Sequence, residues 1–238
     1  MRQERKKAVS KKPVVFLPGL LCDERLWRDQ VVALSDIADP IVVDLTLDNN
    51  ITDMATRILR SAPAEFALVG LSMGGYVAFE IMRRAPQRVT QLALFDTSAA
   101  PDTPDRAAQR RAAIDSLRVG RFAGVTKKLL PQLVHASQAG GELGREVQTM
   151  AARVGQDAFL RQQQAILGRP DSRPCLGSIT VRTLVGVGGQ DVLTPPFEAI
   201  EIHVGIPGSK YYLFGDCGHL PSMEKPDEMN ALLREWLA

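Results

Sequence analysis

Leu68-Val69-Gly70-Leu71-Ser72-Met73-Gly74-Gly75 is an apolar run that ends in a serine held between glycines. The spacing is that of a Gly-x-Ser-x-Gly nucleophile elbow, in which a strand turns so sharply into a helix that the serine must adopt a strained backbone conformation. A Cβ at position 70 or 74 would collide with a neighbouring strand or helix, and Gly75 lets the helix begin close to the sheet. A bare glycine-serine turn occurs in many proteins, so the flanks decide the reading. Phe66 to Leu71 reads as a short buried strand and Tyr76 to Arg84 as a helix ended by Pro86, the setting the motif requires. A serine there stands just before a helix N-terminus, where free backbone N–H groups and the positive dipole end face any oxyanion that forms.

Five further apolar runs resemble the one before Ser72: Val14 to Leu17, Ile41 to Leu45, Gln91 to Phe95, Thr183 to Val187 and Lys210 to Phe214. Amphipathic segments separate them, and strand alternating with helix implies a parallel sheet covered on both faces. One helix begins at Asp23 and buries Trp27, Val31 and Leu34. The last follows Pro226, with Met229, Leu232, Leu233, Trp236 and Leu237 at helical spacing. Between Pro101 and Pro174 the alternation stops, and Ala-, Arg- and Gln-rich helical sequence takes over. The expected organisation is therefore a basic tail (1–12), a core (13–100 and 175–238) and a helical cap (101–174). Inserted after a strand's C-terminal end, such a cap would roof the ligand crevice of an open parallel sheet; the alternative is a plain extra helical layer.

The 238 residues, 45% of them hydrophobic, suffice for a large single core. The formal charge of +2 is uneven, because Arg2, Arg5, Lys6, Lys7, Lys11 and Lys12 precede the first apolar run and the remainder is slightly acidic. The body offers no nucleic-acid or anionic-membrane surface, and a solvated tail is the simplest reading of the basic terminus. No apolar stretch approaches a membrane span, and no signal-type core is present, so a cytoplasmic protein is expected. Cys22, Cys175 and Cys217 are widely spaced and suit neither a disulfide frame nor a zinc site. Cys217 lies two residues before His219, too close along the chain to be well placed as a nucleophile for that imidazole.

Ser72 needs a base. Of the three histidines, His135 and His203 fall in presumed helices, whereas His219 sits in the glycine-rich turn Gly215-Asp216-Cys217-Gly218-His219-Leu220-Pro221 after the last strand. An acid must hold its tautomer. Asp191, just beyond the strand run Leu184 to Val187, is the first candidate, and Asp96, at the end of Ala93-Leu94-Phe95, is the alternative; Asp216 is read as pointing into its own turn. The glycines at 186, 188 and 189 do not make a dinucleotide loop, because Asp191 occupies the place of the third glycine.

The order Ser72, Asp191, His219, each after a strand, is that of the α/β-hydrolases. From about Pro13 to the C-terminus the chain resembles the α/β-hydrolase fold superfamily, close to its short, esterase-like bacterial branch. Leu17-Pro18-Gly19-Leu20-Leu21 ahead of Trp27 is similar to the family's His-Gly-x oxyanion loop and its downstream tryptophan, with Pro18 in place of the histidine. The resemblance implies a mostly parallel six-stranded sheet with helices on both faces and a helical lid. It implies oxyanion donors at the backbone N–H of Met73 and of Leu20, with Leu21 as the alternative to Leu20. It also implies hydrolysis of a small ester, thioester or lactone through an acyl-enzyme, with no metal or organic cofactor. C–C bond hydrolases and lyases of the same fold, or a binding protein without turnover, are the alternatives. Phe122, Met150, Phe159 and Ile166 are candidate substrate-pocket residues from the lid. Dehalogenase chemistry is disfavoured by Ser72, since that group carries Asp there, and peptidase chemistry by Met73, where a tryptophan is usual.

Overall fold

Six short strands pair side by side because a buried backbone can be satisfied only against a neighbour; the four inner strands are largely buried on both faces, and the two edge strands are partly exposed. The computed structural model describes residues 11–120, Phe122 and residues 124–238. The strands are β1 (Lys12–Leu17), β2 (Ala38–Val42), β3 (Phe66–Leu71), β4 (Val89–Phe95), β5 (Arg182–Gly188) and β6 (Lys210–Phe214), in the spatial order β2-β1-β3-β4-β5-β6. All five pairings are parallel.

One strand lies where the sequence did not put it: β2 spans Ala38–Val42 instead of Ile41 to Leu45. Pro40 has no N–H to give to the ladder, but β2 is an edge strand, where that is tolerated. Its register, Lys12 against Ala38 through Phe16 against Val42, also starts β1 at Lys12, inside the stretch assigned to the tail. Lys11 donates to the Ser35 carbonyl and Lys12 to that of Leu237. Arg2, Arg5, Lys6 and Lys7 lie outside the described residues.

Successive side chains along each strand point to opposite faces, which divides the core in two. On one face Val15, Leu17, Leu68 and Val185 meet Ile58 of α2 (Ile51–Ser61), Val77 of α3 (Met73–Arg84) and Ile202 of α8 (Pro196–Gly205). On the other, Val14, Phe16, Val69 and Phe95 meet Trp27, Leu34 of α1 (Arg28–Leu34), and Met229, Leu233 and Trp236 of α10 (Pro226–Leu237). Asp23 caps the turn before α1 by accepting from the Arg25 N–H at 2.9 Å, where the sequence places a helix start.

Between β4 and β5 there is no strand among the described residues. The segment holds α4 (Pro104–Val119), α5 (Leu130–Leu133), α6 (Ala136–Ala139) and α7 (Glu142–Leu167). Gly155, at φ 79° and ψ 178°, breaks α7 in two. Its first half buries Val147, Met150 and Ala151 in one core cluster, and its second half buries Ala165 and Ile166 in the other. Asp102 anchors the base of this segment by accepting from Arg110 at 2.6 Å and Arg169 at 2.9 Å, and the Arg169 guanidinium lies 4.2 Å from the Tyr76 ring centre. Among the described residues no helix is long and apolar enough to cross a membrane.

The chain leaves β1 for the edge strand β2, then returns to place β3 on the other side of β1. The strand order therefore reverses between β1 and β3, the place in an open parallel sheet where ligands are usually held.

Candidate active site

Ser72 occupies the turn between β3 and α3 with φ 55° and ψ −115°, a conformation that costs a non-glycine residue about 1–3 kcal/mol. The surroundings enforce it. The Ser72 N–H donates to the Phe95 carbonyl at 3.0 Å, and its own carbonyl accepts from Gly75 N–H at 2.9 Å and Thr97 Oγ1 at 2.8 Å. A Cβ built on Gly74 would stand 2.2 Å from the Leu17 carbonyl oxygen, so only glycine lets α3 start against β1. Ser72 is half-buried, and its hydroxyl makes no hydrogen bond among the described residues.

His219 and Asp191 arrive from two neighbouring loops. His219 Nδ1 and Asp191 Oδ2 are 2.8 Å apart, both side chains buried. The same Oδ2 accepts from Thr194 Oγ1 at 2.7 Å, and Oδ1 accepts from the N–H groups of Leu193 at 2.8 Å and Thr194 at 3.2 Å. Burial raises the Asp191 pKa, but the His219 charge and these donors outweigh it and hold the carboxyl below its usual range. With Nδ1 on Asp191, Nε2 has no hydrogen-bond partner among the described residues and is available for a proton. Gly188 permits the two loops to meet, since a Cβ there would come 1.7 Å from the Gly218 carbonyl oxygen. That accounts for a glycine the sequence could also have spent on a nucleotide loop.

Asp96, the alternative acid, is fully buried and accepts from the Gly188 N–H at 2.8 Å. Its other oxygen has no hydrogen-bond partner among the described residues, and burial together with the adjacent Asp191 charge pushes its pKa well up. The ligand-type atoms of Asp96, Asp191 and His219 fall within 4.8 Å of one another. Asp191 rather than Asp96 is hydrogen-bonded to the imidazole. The other histidines have local partners: His135 Nδ1 meets Ser137 Oγ at 2.7 Å and His203 Nδ1 meets Ser209 Oγ at 2.8 Å. Cys217 is buried, and desolvation raises its thiol far above neutrality, which removes the thiolate a nucleophile needs.

The loop after β1 lies beside Ser72, because a Cβ on Gly19 would be 3.5 Å from the Ser72 Cβ. Cys22 N–H donates to the Gly19 carbonyl at 3.2 Å and closes a turn in which Leu21 takes φ 59°. The Leu21 N–H is engaged at 3.0 Å by Gln162 Oε1 of α7, while the N–H of Leu20 has no hydrogen-bond acceptor among the described residues. Met73 is the first residue of α3, where a backbone N–H has no intrahelical acceptor. Of the candidate pocket residues, Phe122 and Phe159 are half-buried with ring centres 5.6 Å apart, Met150 is buried in the cluster of Trp27, and Ile166 in that of Val77. Two cavities, of about 80 and about 370 Å³, are lined by Arg182, Lys210 and Trp236 and by Arg25, Arg145 and Arg153, and neither reaches Ser72.

Three site residues were missed from the sequence: Thr194, Gln162 and Glu224. Buried Glu224 gathers the N–H groups of His135 at 2.7 Å, Gly218 at 3.0 Å and Leu220 at 3.1 Å, bracing the His219 loop. Nothing in its local pattern distinguishes it from a surface acid of the short helix α9 (Pro221–Glu224). Thr194 had a signal, since a hydroxyl three residues beyond an acid can close back on it.

The sheet order, the strained serine after β3 and the buried acid-histidine pair after β5 and β6 define a hydrolase of the α/β class. The chain belongs to the alpha/beta hydrolase family, whose model matches residues 14–232. It is 31% identical over 183 residues to a pimeloyl-[acyl-carrier protein] methyl ester esterase of Neisseria meningitidis serogroup B, covering 74% of this chain and 69% of that one. A thermophilic esterase from Thermogutta terrifontis shares its structure at a TM-score of 0.84 and 28% identity, over 95% of this chain and 89% of the other. An enol-lactonase from Burkholderia xenovorans matches in fold at a TM-score of 0.79 and 22% identity, over 98% and 93%.

Proposed function

We propose that the protein hydrolyses a small carboxylic ester, thioester or lactone through an acyl-enzyme on Ser72. His219 Nε2 removes the hydroxyl proton as Ser72 Oγ attacks the carbonyl carbon, and the N–H groups of Leu20 and Met73 hold the oxyanion. Collapse expels the alcohol, protonated by His219; water then attacks the acyl-enzyme with His219 again as base, and the acid leaves. Asp191 fixes the imidazole with Nδ1–H toward itself and stabilises the imidazolium between the two proton transfers. The observation that carries this reading is the buried 2.8 Å Asp191–His219 contact on loops of the same sheet end as strained Ser72. Engagement of the Leu21 N–H by Gln162 supports Leu20 as the loop donor.

In this reading residues 101–174 roof the crevice, and Phe122 and Phe159 are the pocket side chains that face the acyl group. The substrate is a small molecule, and no nucleic acid or membrane takes part. The relatives named above act on esters, and the Neisseria protein on a methyl ester, so small leaving alcohols head the panel of substrates. The test is a fluorophosphonate reaction with the adduct located by mass spectrometry, beside methyl and p-nitrophenyl esters of rising acyl length. Labelling at Ser72, loss of turnover in Ser72→Ala and hydrolysis of short esters are the expected results. Failure to label Ser72 overturns the proposal, and labelling with every ester inert replaces it with C–C bond hydrolysis or lyase chemistry.

A further inference from the structure

We infer that Gln162 of the cap is a positioning residue for the oxyanion loop, so that the second half of α7 sets the geometry of the Leu20 donor. The inference rests on the acyl-transfer reading above. Gln162 is wholly buried, and both ends of its amide are engaged: Oε1 accepts from the Leu21 N–H at 3.0 Å, and Nε2 donates to the Leu45 carbonyl at 3.2 Å. A side chain more than a hundred residues downstream thus bridges the loop after β1 and the loop after β2.

The loop needs such a partner. Leu21 is a bulky residue at φ 59°, a conformation that persists only when neighbouring contacts over-determine it. Pro18 has no N–H with which to brace the turn. Within the loop, Cys22 N–H bonds the Gly19 carbonyl and Cys22 Sγ lies 3.5 Å from the Leu20 carbonyl; from outside it, the Gln162 bridge holds the Leu21 N–H. With Gln162 removed, the Leu20–Leu21 peptide can rotate toward the ordinary right-handed region. That rotation would carry the adjoining Leu20 N–H off the position of the oxyanion and leave the Leu21 N–H to compete for it. A donor displaced by about 1 Å loses most of its value in the transition state while ground-state binding changes little.

The experiment compares Gln162→Met, which keeps the volume and loses both bonds, with Gln162→Glu, which keeps an acceptor for the Leu21 N–H. Gln163→Met serves as a neighbour control, because buried Gln163 instead accepts from Arg110 at 2.9 Å. Kinetics on a short p-nitrophenyl ester, affinity for a boronic acid that forms a tetrahedral adduct, and thermal midpoints are measured for each. Gln162→Met is expected to lower kcat about 10- to 100-fold at nearly constant KM. Boronate affinity should fall in parallel, Gln162→Glu should recover most of the loss, and Gln163→Met should leave kcat unchanged. An unchanged kcat in Gln162→Met, or a lowered thermal midpoint with no change in kcat and boronate affinity, overturns the inference. So does a kcat loss that Gln163→Met reproduces. Full activity in Ser72→Ala would instead overturn the acyl-transfer reading on which it rests.

Discussion

Thr194 and His219 share one oxygen of Asp191, at 2.7 Å and 2.8 Å from Oδ2. The carboxylate is therefore aimed by a residue three positions along its own loop before the imidazole reaches it. Fixing the acceptor fixes the imidazole ring. If His219 is the base for Ser72, the two substitutions at this junction differ in size. Asp191→Asn presents the wrong partner to Nδ1 and should cost about four orders of magnitude in kcat. Thr194→Val removes one donor and should cost about 1 kcal/mol, roughly fivefold in kcat/KM. Steady-state kinetics on one short ester measures both.

Asp96 and Asp191 should give stability opposite dependences on pH. The lowered Asp191 pKa contributes stability that is present above its unfolded value, near 4, and is lost on acidification below it. The raised Asp96 pKa does the reverse: the folded state keeps a proton that the unfolded chain releases, so its contribution declines as pH rises above about 4. Asp96→Asn keeps the acceptor for the Gly188 N–H without the titration. Denaturant unfolding of this variant and the parent should show a difference in favour of Asn that grows as the pH is raised above about 4.

Gly74→Ala should destabilise the fold by about 3 kcal/mol and abolish turnover, since the added methyl meets the Leu17 carbonyl at 2.2 Å and must part α3 from β1. Chemical denaturation and ester hydrolysis measured on the same sample test this.

Cys217→Ala should retain esterase activity and give a normal pH profile, because the buried thiol carries no charge at neutral pH. A loss beyond the effect of a small cavity, read as kcat at constant thermal midpoint, would assign the thiol a part in the reaction.

Glu224→Ala should loosen the His219 loop by leaving the N–H groups of His135, Gly218 and Leu220 without their shared acceptor. A cost of about 3 kcal/mol is expected, with kcat falling further than that of a core substitution of equal cost.

The sheet and the elbow were legible in the chain because they rest on local physics. Buried parallel strands need continuous apolar runs, and a strand-to-helix turn around Ser72 needs glycine at 70, 74 and 75. His219 could be singled out among three histidines by its loop alone, and it is the one that meets Asp191. The β2 register was not legible, because whether Pro40 breaks a strand depends on its being at the sheet edge. Asp191 could be ranked ahead of Asp96 from the sequence, two acids at the ends of adjacent strands, but the contact of its carboxylate with the imidazole is a tertiary relation. Gln162 and Glu224 lie far along the chain from Leu21 or sit in an ordinary helix, so only folding could bring them to the backbone groups they hold. The sequence by itself determined the class of fold and singled out Ser72 as the candidate nucleophile, since both rest on short segments. The tertiary structure decided which carboxylate meets the imidazole, the geometry of the loop after β1 and its contact with α7, because these are relations between segments that no local pattern encodes.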